Sequence, residues 1–172
     1  MSAPKPLTVW LIAGEESGDQ LGAKLMAALK TALGDTPVTF AGVGGEAMAA
    51  QGLRTLFPLS DIAVMGIGAV VARLPSIVQR VYRTVDAIVQ GRPDAVVIID
   101  SPEFTHAVAK RVRRRLPSLP IINYVSPSVW AWRPGRARKM RAYVDHVLAL
   151  NRSNRTRTSA LAGRPAPMSA TP

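Results

Sequence analysis

The chain has 172 residues, 48% of them hydrophobic, which suffices for one domain that needs no disulfide or metal to hold its core. It contains no cysteine, which excludes a thiol nucleophile, a cysteine-zinc site and a disulfide framework. The formal net charge is +11. Four of the 22 basic residues and no acid lie in residues 151–172, so residues 1–150 carry +7, which favours anionic partners.

Five apolar runs predict β-strands that are buried on both faces of a sheet, and five segments between or after them have helical spacing. The predicted strands are Leu7–Ala13, Val38–Val43, Ala95–Ile99, Ile121–Val125 and Val147–Leu150, and the predicted helices are Gly18–Leu33, Glu46–Gln51, Ser76–Gln90, Glu103–Leu116 and Arg136–Tyr143. This alternation predicts an α/β fold with a doubly wound, mainly parallel, Rossmann-like sheet. Ligands bind such sheets at the carboxyl ends of the strands, so the loops there are the candidate sites.

The loop after the first predicted strand is rich in glycine and acidic residues and reads AGEESGDQLGA. Its glycines permit tight turns, and Ser17 or Asp19 can cap the following helix. The pattern is neither a P-loop nor GxGxxG. Two roles remain open for Glu15, Glu16 and Asp19: acids at a helix start, where the helix dipole favours them, or groups that orient sugar hydroxyls.

A second candidate, Asp100, directly follows the strand Ala95–Ile99 in the sequence IIDSPEF. The Ser-Pro pair after it directs the chain out of the sheet. A carboxylate at this point is partly desolvated and can serve as a base, or it can act as a helix cap or structural hydrogen-bond acceptor. Glu103 is predicted to start the next helix.

A third loop, YVSPSVWAWRPGR, holds two of the three tryptophans. An ordinary connection between a strand and a helix needs only Gly, Asn or Asp. Trp130 and Trp132, beside the rigid turn of Ser126, Pro127 and Ser128, indicate a surface that holds a ligand. The alternative is two indole rings that cover the core.

An apolar stripe with spacings of four and three runs from Ile67 to Ile88. Either the whole helix packs on the sheet, or its first part lies on a lipid surface while nearby arginines meet anionic headgroups. Pro75 begins or kinks the second part. The membrane or acyl contacts in the second alternative are Met65, Ile67, Val70, Val71 and Leu74.

No metal site is predicted, because His106 and His146 are far apart and lack the spacing of metal ligands. The apolar run Leu7–Ala13 is shorter than the core of a signal peptide or a membrane span, and no later run reaches ~18 apolar residues. We therefore expect a soluble protein that can still bind a membrane surface. The basic run Lys110–Arg115 is predicted to be a solvated helix face.

Five segments in this order resemble lipid-A-disaccharide synthase: AGEESGDQLGA, FAGVGGEAM, LSDIAVMGI, IIDSPEF and YVSPSVWAWR. The resemblance spans Leu7 to Leu150 and implies the N-terminal, acceptor-sugar half of a two-domain GT-B glycosyltransferase. It implies that UDP-2,3-diacylglucosamine and 2,3-diacylglucosamine 1-phosphate give a β-1,6-linked disaccharide phosphate and UDP, with inversion and without a metal or other cofactor. It also implies a cytoplasmic enzyme, peripheral on the inner face of the inner membrane.

The resemblance assigns roles to individual residues of this chain. Asp100 matches the family's essential aspartate and is implied to be the catalytic base. The residues implied to line the sugar cleft are Gly14, Glu15, Ser17, Gly18, Asp19, Ser126, Pro127, Ser128, Trp130 and Trp132. Two departures stand out: Gly68-Ala69-Val70 replaces the family's Glu-Val, and Thr105 stands where the family often has Asn.

Two other functions are compatible with parts of the sequence. A basic, non-catalytic module that binds a membrane surface or nucleic acid would use the arginine-rich runs, but the aromatic residues are not interleaved with those runs. A dinucleotide-dependent oxidoreductase would fit the α/β order, but GxGxxG is missing. We therefore expect lipid-linked sugars and an anionic membrane surface as partners, and no nucleic acid.

Residues 151–172 do not continue the resemblance, which stops at Leu150. The family continues with Pro-Phe-Glu-Pro and later with Tyr-Val-Gly-His-Pro, whereas this chain has NRSNR and PMSATP. Each of the two segments can be encoded by a DNA sequence that, read in a shifted frame, gives the family's residues. The shift is the same for both segments. We therefore expect a domain over residues 1–150, a disordered out-of-frame tail over residues 151–172, no C-terminal nucleotide-sugar domain, and no activity of the chain alone.

Sequencing the encoding DNA tests this frameshift. We expect that restoring one base near the codon of Leu150 reopens a long reading frame that encodes the family's C-terminal domain. A DNA sequence in which no single-base change reopens such a frame would contradict the hypothesis.

Overall fold

The structure is a computed structural model that describes residues 5–62, 67–125 and 139–149. Its sheet consists of the strands β1 (Leu7–Ala13), β2 (Val38–Val43), β3 (Leu53–Thr55), β4 (Ala95–Ile99), β5 (Ile121–Val125) and β6 (His146–Ala149). The predicted bounds of β1, β2, β4 and β5 are confirmed. The last strand begins one residue earlier than predicted, and β3 was not predicted.

The described helices are α1 (Glu16–Leu33), α2 (Glu46–Ala50), α3 (Ile67–Gly91) and α4 (Pro102–Arg115), with a short 3-10 helix at Leu59–Asp61. The first of these begins at Glu16 rather than at Gly18. The third runs through Pro75 without interruption, so that proline does not begin the helix. The predicted helix Arg136–Tyr143 lies partly outside the described residues, where residues 139–140 are helical and residues 141–143 form a turn.

All strands are parallel, in the order β3-β2-β1-β4-β5-β6. The doubly wound α/β fold predicted from the sequence is therefore confirmed. The chain moves outward from β1 to β3, then returns to β4 and moves outward on the other side, so the strand order reverses between β1 and β4. Ligands of such sheets bind at this reversal, beyond the carboxyl ends of the strands. Ala13 and Ile99, the last residues of the two strands, are register partners.

Helices cover both faces of the sheet because side chains alternate along each strand. On one face, Leu11 of β1 and Ile99 of β4 pack with Met26 of α1 and Met48 of α2. On the other face, alternate strand residues pack with α3 and α4. The buried residues of that second face include Ile12, Val96, Ile98, Val85, Ile88, Val108 and Val112.

The apolar stripe of α3 divides into two parts. Val81, Val85 and Ile88 are buried against the sheet, whereas Leu74 and Val78 are 52% and 43% exposed. Packing on the sheet therefore accounts for the later part of the stripe and leaves Leu74 and Val78 largely uncovered. Among the residues that the structure describes, no helix is long and apolar enough to span a membrane.

Candidate functional site

The loops after β1 and β4 touch at the reversal of strand order. Gly14 and Asp100 leave the sheet side by side, since each follows one member of the pair Ala13 and Ile99. A Cβ atom placed on Gly14 would lie 2.2 Å from the Oγ and 2.3 Å from the Cβ of Ser101. The two loops can approach this closely only because Gly14 has no side chain.

The backbone is unusual at the same point. Asp100 and Ser101 have φ of 49° and 43°, and within the described ranges the only other non-glycine residue with positive φ is Arg92. Such conformations cost about 1–3 kcal/mol each and are concentrated at functional sites. Ser101 makes no side-chain capping bond to α4, and its Oγ lies over Gly14 instead.

The Asp100 carboxyl is half-buried, and burial is the main reason that its pKa is raised above the ordinary value for aspartate. The negative charge of Glu15 raises the pKa further, while the backbone N–H of Ser101 opposes the shift. Asp94, at the opposite end of β4, shows the reverse behaviour. Its pKa is lowered because it accepts hydrogen bonds from the Thr8 amide at 2.8 Å and the Lys5 ammonium at 3.1 Å.

Glu15 and Ser17 belong to the first turn of α1. Glu15 occupies the N-cap position without a side-chain capping bond. The Ser17 hydroxyl donates a 2.6 Å hydrogen bond to the Glu15 carboxylate, and both residues are exposed. The structure therefore brings Gly14, Glu15 and Asp100 together at the carboxyl edge of the sheet, with Ser17 beside Glu15.

Gly18 and Asp19 are buried and contribute to packing. A Cβ on Gly18 would lie 3.4 Å from the carbonyl oxygen of Ile99, so α1 lies close to β4. Asp19 does not cap α1, because that helix begins before it. Its carboxylate accepts the backbone N–H groups of Gly45, Ala47 and Met48 at 2.7, 2.9 and 3.1 Å and so caps α2. Asp19 is only 3% exposed, and its predicted contact with a sugar stays a prediction.

The other predicted contact residues are only partly described. Met65 and the predicted sugar-lining residues Ser126, Pro127, Ser128, Trp130 and Trp132 lie outside the described residues. Ile67, Val70 and Val71 lie in the first turns of α3, and Leu74 is exposed.

The histidines were predicted to be ordinary packing or surface residues. His106 Nδ1 lies 2.9 Å from the Tyr143 hydroxyl, and His146 is exposed on β6. Across the described ranges, no group of three or more His, Cys, Asp or Glu residues could hold a metal ion.

A model of the lipid-A-disaccharide synthetase family matches residues 9–151. The chain belongs to this family. Proteins named lipid-A-disaccharide synthase from Rhodopseudomonas palustris strain HaA2 and Nitrobacter hamburgensis are 66% and 61% identical to it, each over 142 residues. The protein of that name from Paramagnetospirillum magneticum is 46% identical over 144 residues. These alignments cover 83–84% of this chain and 36–37% of each relative, so the chain spans about a third of their length.

The family predicted from the five sequence segments is thus confirmed over the part of the chain that carries them.

Thr105 was noted only as a departure from the family pattern. In the structure it is fully buried, and its hydroxyl lies 2.7 Å from the Asp100 carbonyl oxygen. The sequence signal for this contact was a small hydroxyl residue in the first turns of a helix that follows the candidate base.

The contact between Gly14 and Ser101 can be tested by substitution. We expect Gly14→Ala to lower the free energy of unfolding by about 2 kcal/mol, because the new methyl group overlaps the Ser101 side chain. Adding Ser101→Gly removes the overlapped atoms and suits the positive φ, so the double variant should recover most of the loss. Urea denaturation of both single variants and the double variant measures this coupling.

Gly91→Ala is the matched control, since a Cβ there would meet only ordinary contacts with Trp10 at 3.6–3.8 Å. That variant should change the free energy of unfolding by less than about 0.5 kcal/mol. A double variant as unstable as Gly14→Ala alone would show that the two loops do not touch in this way.

Proposed function

We propose that this chain supplies the acceptor-sugar half of a lipid-A-disaccharide synthase and that Asp100 is its general base. The proposed reaction transfers diacylglucosamine from UDP-2,3-diacylglucosamine to 2,3-diacylglucosamine 1-phosphate and releases UDP. The observation that carries the proposal is the half-buried Asp100 carboxylate at the reversal of strand order, in a member of this family. The names of the relatives support the reaction.

The chemistry requires a group that removes one proton. Asp100 takes the proton from the 6-hydroxyl of the acceptor sugar as that oxygen bonds to C1 of the donor sugar. The bond between C1 and the phosphate oxygen of UDP breaks on the opposite face, so C1 inverts and UDP leaves with the electron pair. A carboxylate whose pKa is raised holds the transferred proton more strongly than an exposed aspartate does, which suits this role.

The surroundings of Asp100 suit a polar ligand. Gly14 leaves room for the Ser101 side chain beside Asp100, and Glu15 and Ser17 offer exposed oxygen atoms on the same edge of the sheet. We assign these residues to the acceptor sugar, together with Gly18 and the aromatic loop at residues 126–132. The nucleotide sugar is assigned to the C-terminal portion of the complete enzyme.

A chimeric enzyme tests the base. Residues 9–149 of this chain replace the matching segment of the Rhodopseudomonas palustris HaA2 relative, and disaccharide formation is measured against pH. Asp100→Asn should lower kcat by roughly 100- to 10,000-fold, because general-base catalysis contributes about that much. The base must be ionised, so the rate of the unsubstituted chimera should fall as the pH decreases through the raised pKa of Asp100.

Asp35→Asn is the control, because Asp35 is an exposed carboxylate between α1 and β2, at the opposite edge of the sheet. It should leave the rate within about twofold of the unsubstituted chimera. The 172-residue chain alone is expected to form no disaccharide. An Asp100→Asn chimera with the unsubstituted rate would exclude Asp100 as the base.

We further propose that the exposed part of α3 docks on an anionic membrane at the cytoplasmic face of the inner membrane. Leu74, Val78 and Tyr82 are 52%, 43% and 51% exposed and lie four residues apart, hence on one side of the helix. The guanidinium of Arg111 on α4 lies 5.2 Å from the Tyr82 ring. An apolar strip beside arginine is the arrangement that interfacial helices use on anionic lipid. The strip continues the lipid contact predicted from Met65 to Leu74.

Vesicle binding tests the membrane surface. Binding of the 172-residue chain to anionic vesicles should fall roughly tenfold or more in the variant Leu74→Ser with Val78→Ser, because each apolar side chain contributes about 1 kcal/mol when it enters the interface. Leu148→Ser is the matched control, since Leu148 is 41% exposed on β6.

Binding should also weaken as salt is added and should be weak on zwitterionic vesicles. Equal binding by the double variant and the unsubstituted chain would contradict docking through α3. Salt-sensitive binding to oligonucleotides without vesicle binding would favour the nucleic-acid module instead.

A further inference from the structure

The peptide group between Asp100 and Ser101 is held in an uncommon position. L-residues rarely adopt positive φ, and here two in succession do so at the end of a buried strand. The sheet contributes little to holding them, since the Asp100 amide donates only a long 3.4 Å bond to the Tyr124 carbonyl. The contacts that fix this peptide must therefore come from the other side of the loop.

Thr105 supplies those contacts. Its side chain is fully buried, and its hydroxyl lies 2.7 Å from the Asp100 carbonyl oxygen and 3.0 Å from the Ser101 carbonyl oxygen. A threonine hydroxyl in a helix ordinarily reaches the carbonyl four residues back, which here is Ser101. The shorter bond goes one residue further, past the start of α4 to Asp100, the residue that follows β4.

The position of this carbonyl decides where the next N–H points. In a trans peptide the C=O and N–H groups point in opposite directions. Because Thr105 holds the Asp100 carbonyl on the α4 side, the Ser101 N–H points away from α4. This N–H favours the charged form of the Asp100 carboxyl and so lowers its pKa. One buried hydroxyl therefore fixes the orientation of a group that stabilises the charge of the candidate base.

We propose that Thr105 is a positioning residue, whose hydroxyl aims the Asp100 carboxylate through the Asp100–Ser101 peptide. The catalytic meaning of this role rests on the proposed function, whereas the positioning itself does not. Thr105 is not expected to contact substrate, since it is fully buried beneath the loop.

Nuclear magnetic resonance of the 172-residue chain tests the positioning without an activity assay. In the unsubstituted chain, the Ser101 amide proton should shift as the Asp100 carboxyl titrates, because that N–H interacts with the charged form of the carboxyl. Thr105→Val keeps the shape of the side chain and removes the hydroxyl. It should abolish most of that shift and move the Asp100 titration to higher pH, since the contact that favours the charged form is lost while burial remains.

Thr105→Ser restores the hydroxyl without the methyl group and should recover both signals. A Thr105→Val chain that is less stable but keeps both signals would show that Thr105 only supports the helix. Equal behaviour of the Ser and Val variants would show that packing, not the hydroxyl, matters. Should the Val variant fail to fold, a Ser101 amide that ignores the Asp100 titration in the unsubstituted chain would overturn the proposal.

The chimeric enzyme then connects positioning to rate. Thr105→Val should lower kcat roughly 10- to 100-fold with little change in KM, because a small displacement of a catalytic group has an effect of that size. Thr105→Ser should stay within about threefold of the unsubstituted chimera. If Asp100 is not the base, the chimera will show no such loss while the resonance signals still respond to Thr105. The two failures are therefore distinguishable.

Discussion

The close approach of Gly14 to Ser101 is the constraint on which the candidate site depends. Parallel pairing delivers the ends of β1 and β4 to the same place, but pairing alone does not decide how the loops beyond them fit together. The missing side chain at Gly14 leaves room for the side chain of Ser101, whose backbone conformation is left-handed like that of Asp100. A methyl group at Gly14 would overlap that side chain, so the arrangement of the loop around Asp100 requires glycine at this position.

The two aspartates that flank β4 lie in opposite electrostatic surroundings. At the amino end, Asp94 accepts bonds from Thr8 and Lys5, which favour its charge and help fix the sheet. At the carboxyl end, Asp100 is ionised at a cost, because burial and the nearby Glu15 both oppose its charge. Carboxylates whose charged form is disfavoured by their surroundings are concentrated at functional sites, which is why Asp100 is the candidate base.

The sequence predicted those parts of the fold that are indicated by residues within the same short segment. Runs of β-branched residues buried on both faces identified β1, β2, β4 and β5, and a carboxylate directly after β4 identified Asp100. The short strand β3 escaped notice because two of its three residues, Arg54 and Thr55, are exposed and it exists through pairing with β2.

Contacts that depend on residues distant in sequence, or on an uncommon backbone conformation, were beyond prediction. Asp19 caps a helix 26–29 residues further along, and nothing in its own neighbourhood indicates that partner. The bond from Thr105 to Asp100 depends on a positive φ that no local pattern requires at an aspartate. The dependence of α2 on Asp19 also couples two parts of the domain. A helix of five residues has little stability of its own. Its first amides are bound by a carboxylate that α1 carries, so the β2-to-β3 crossover is tied to the position of α1.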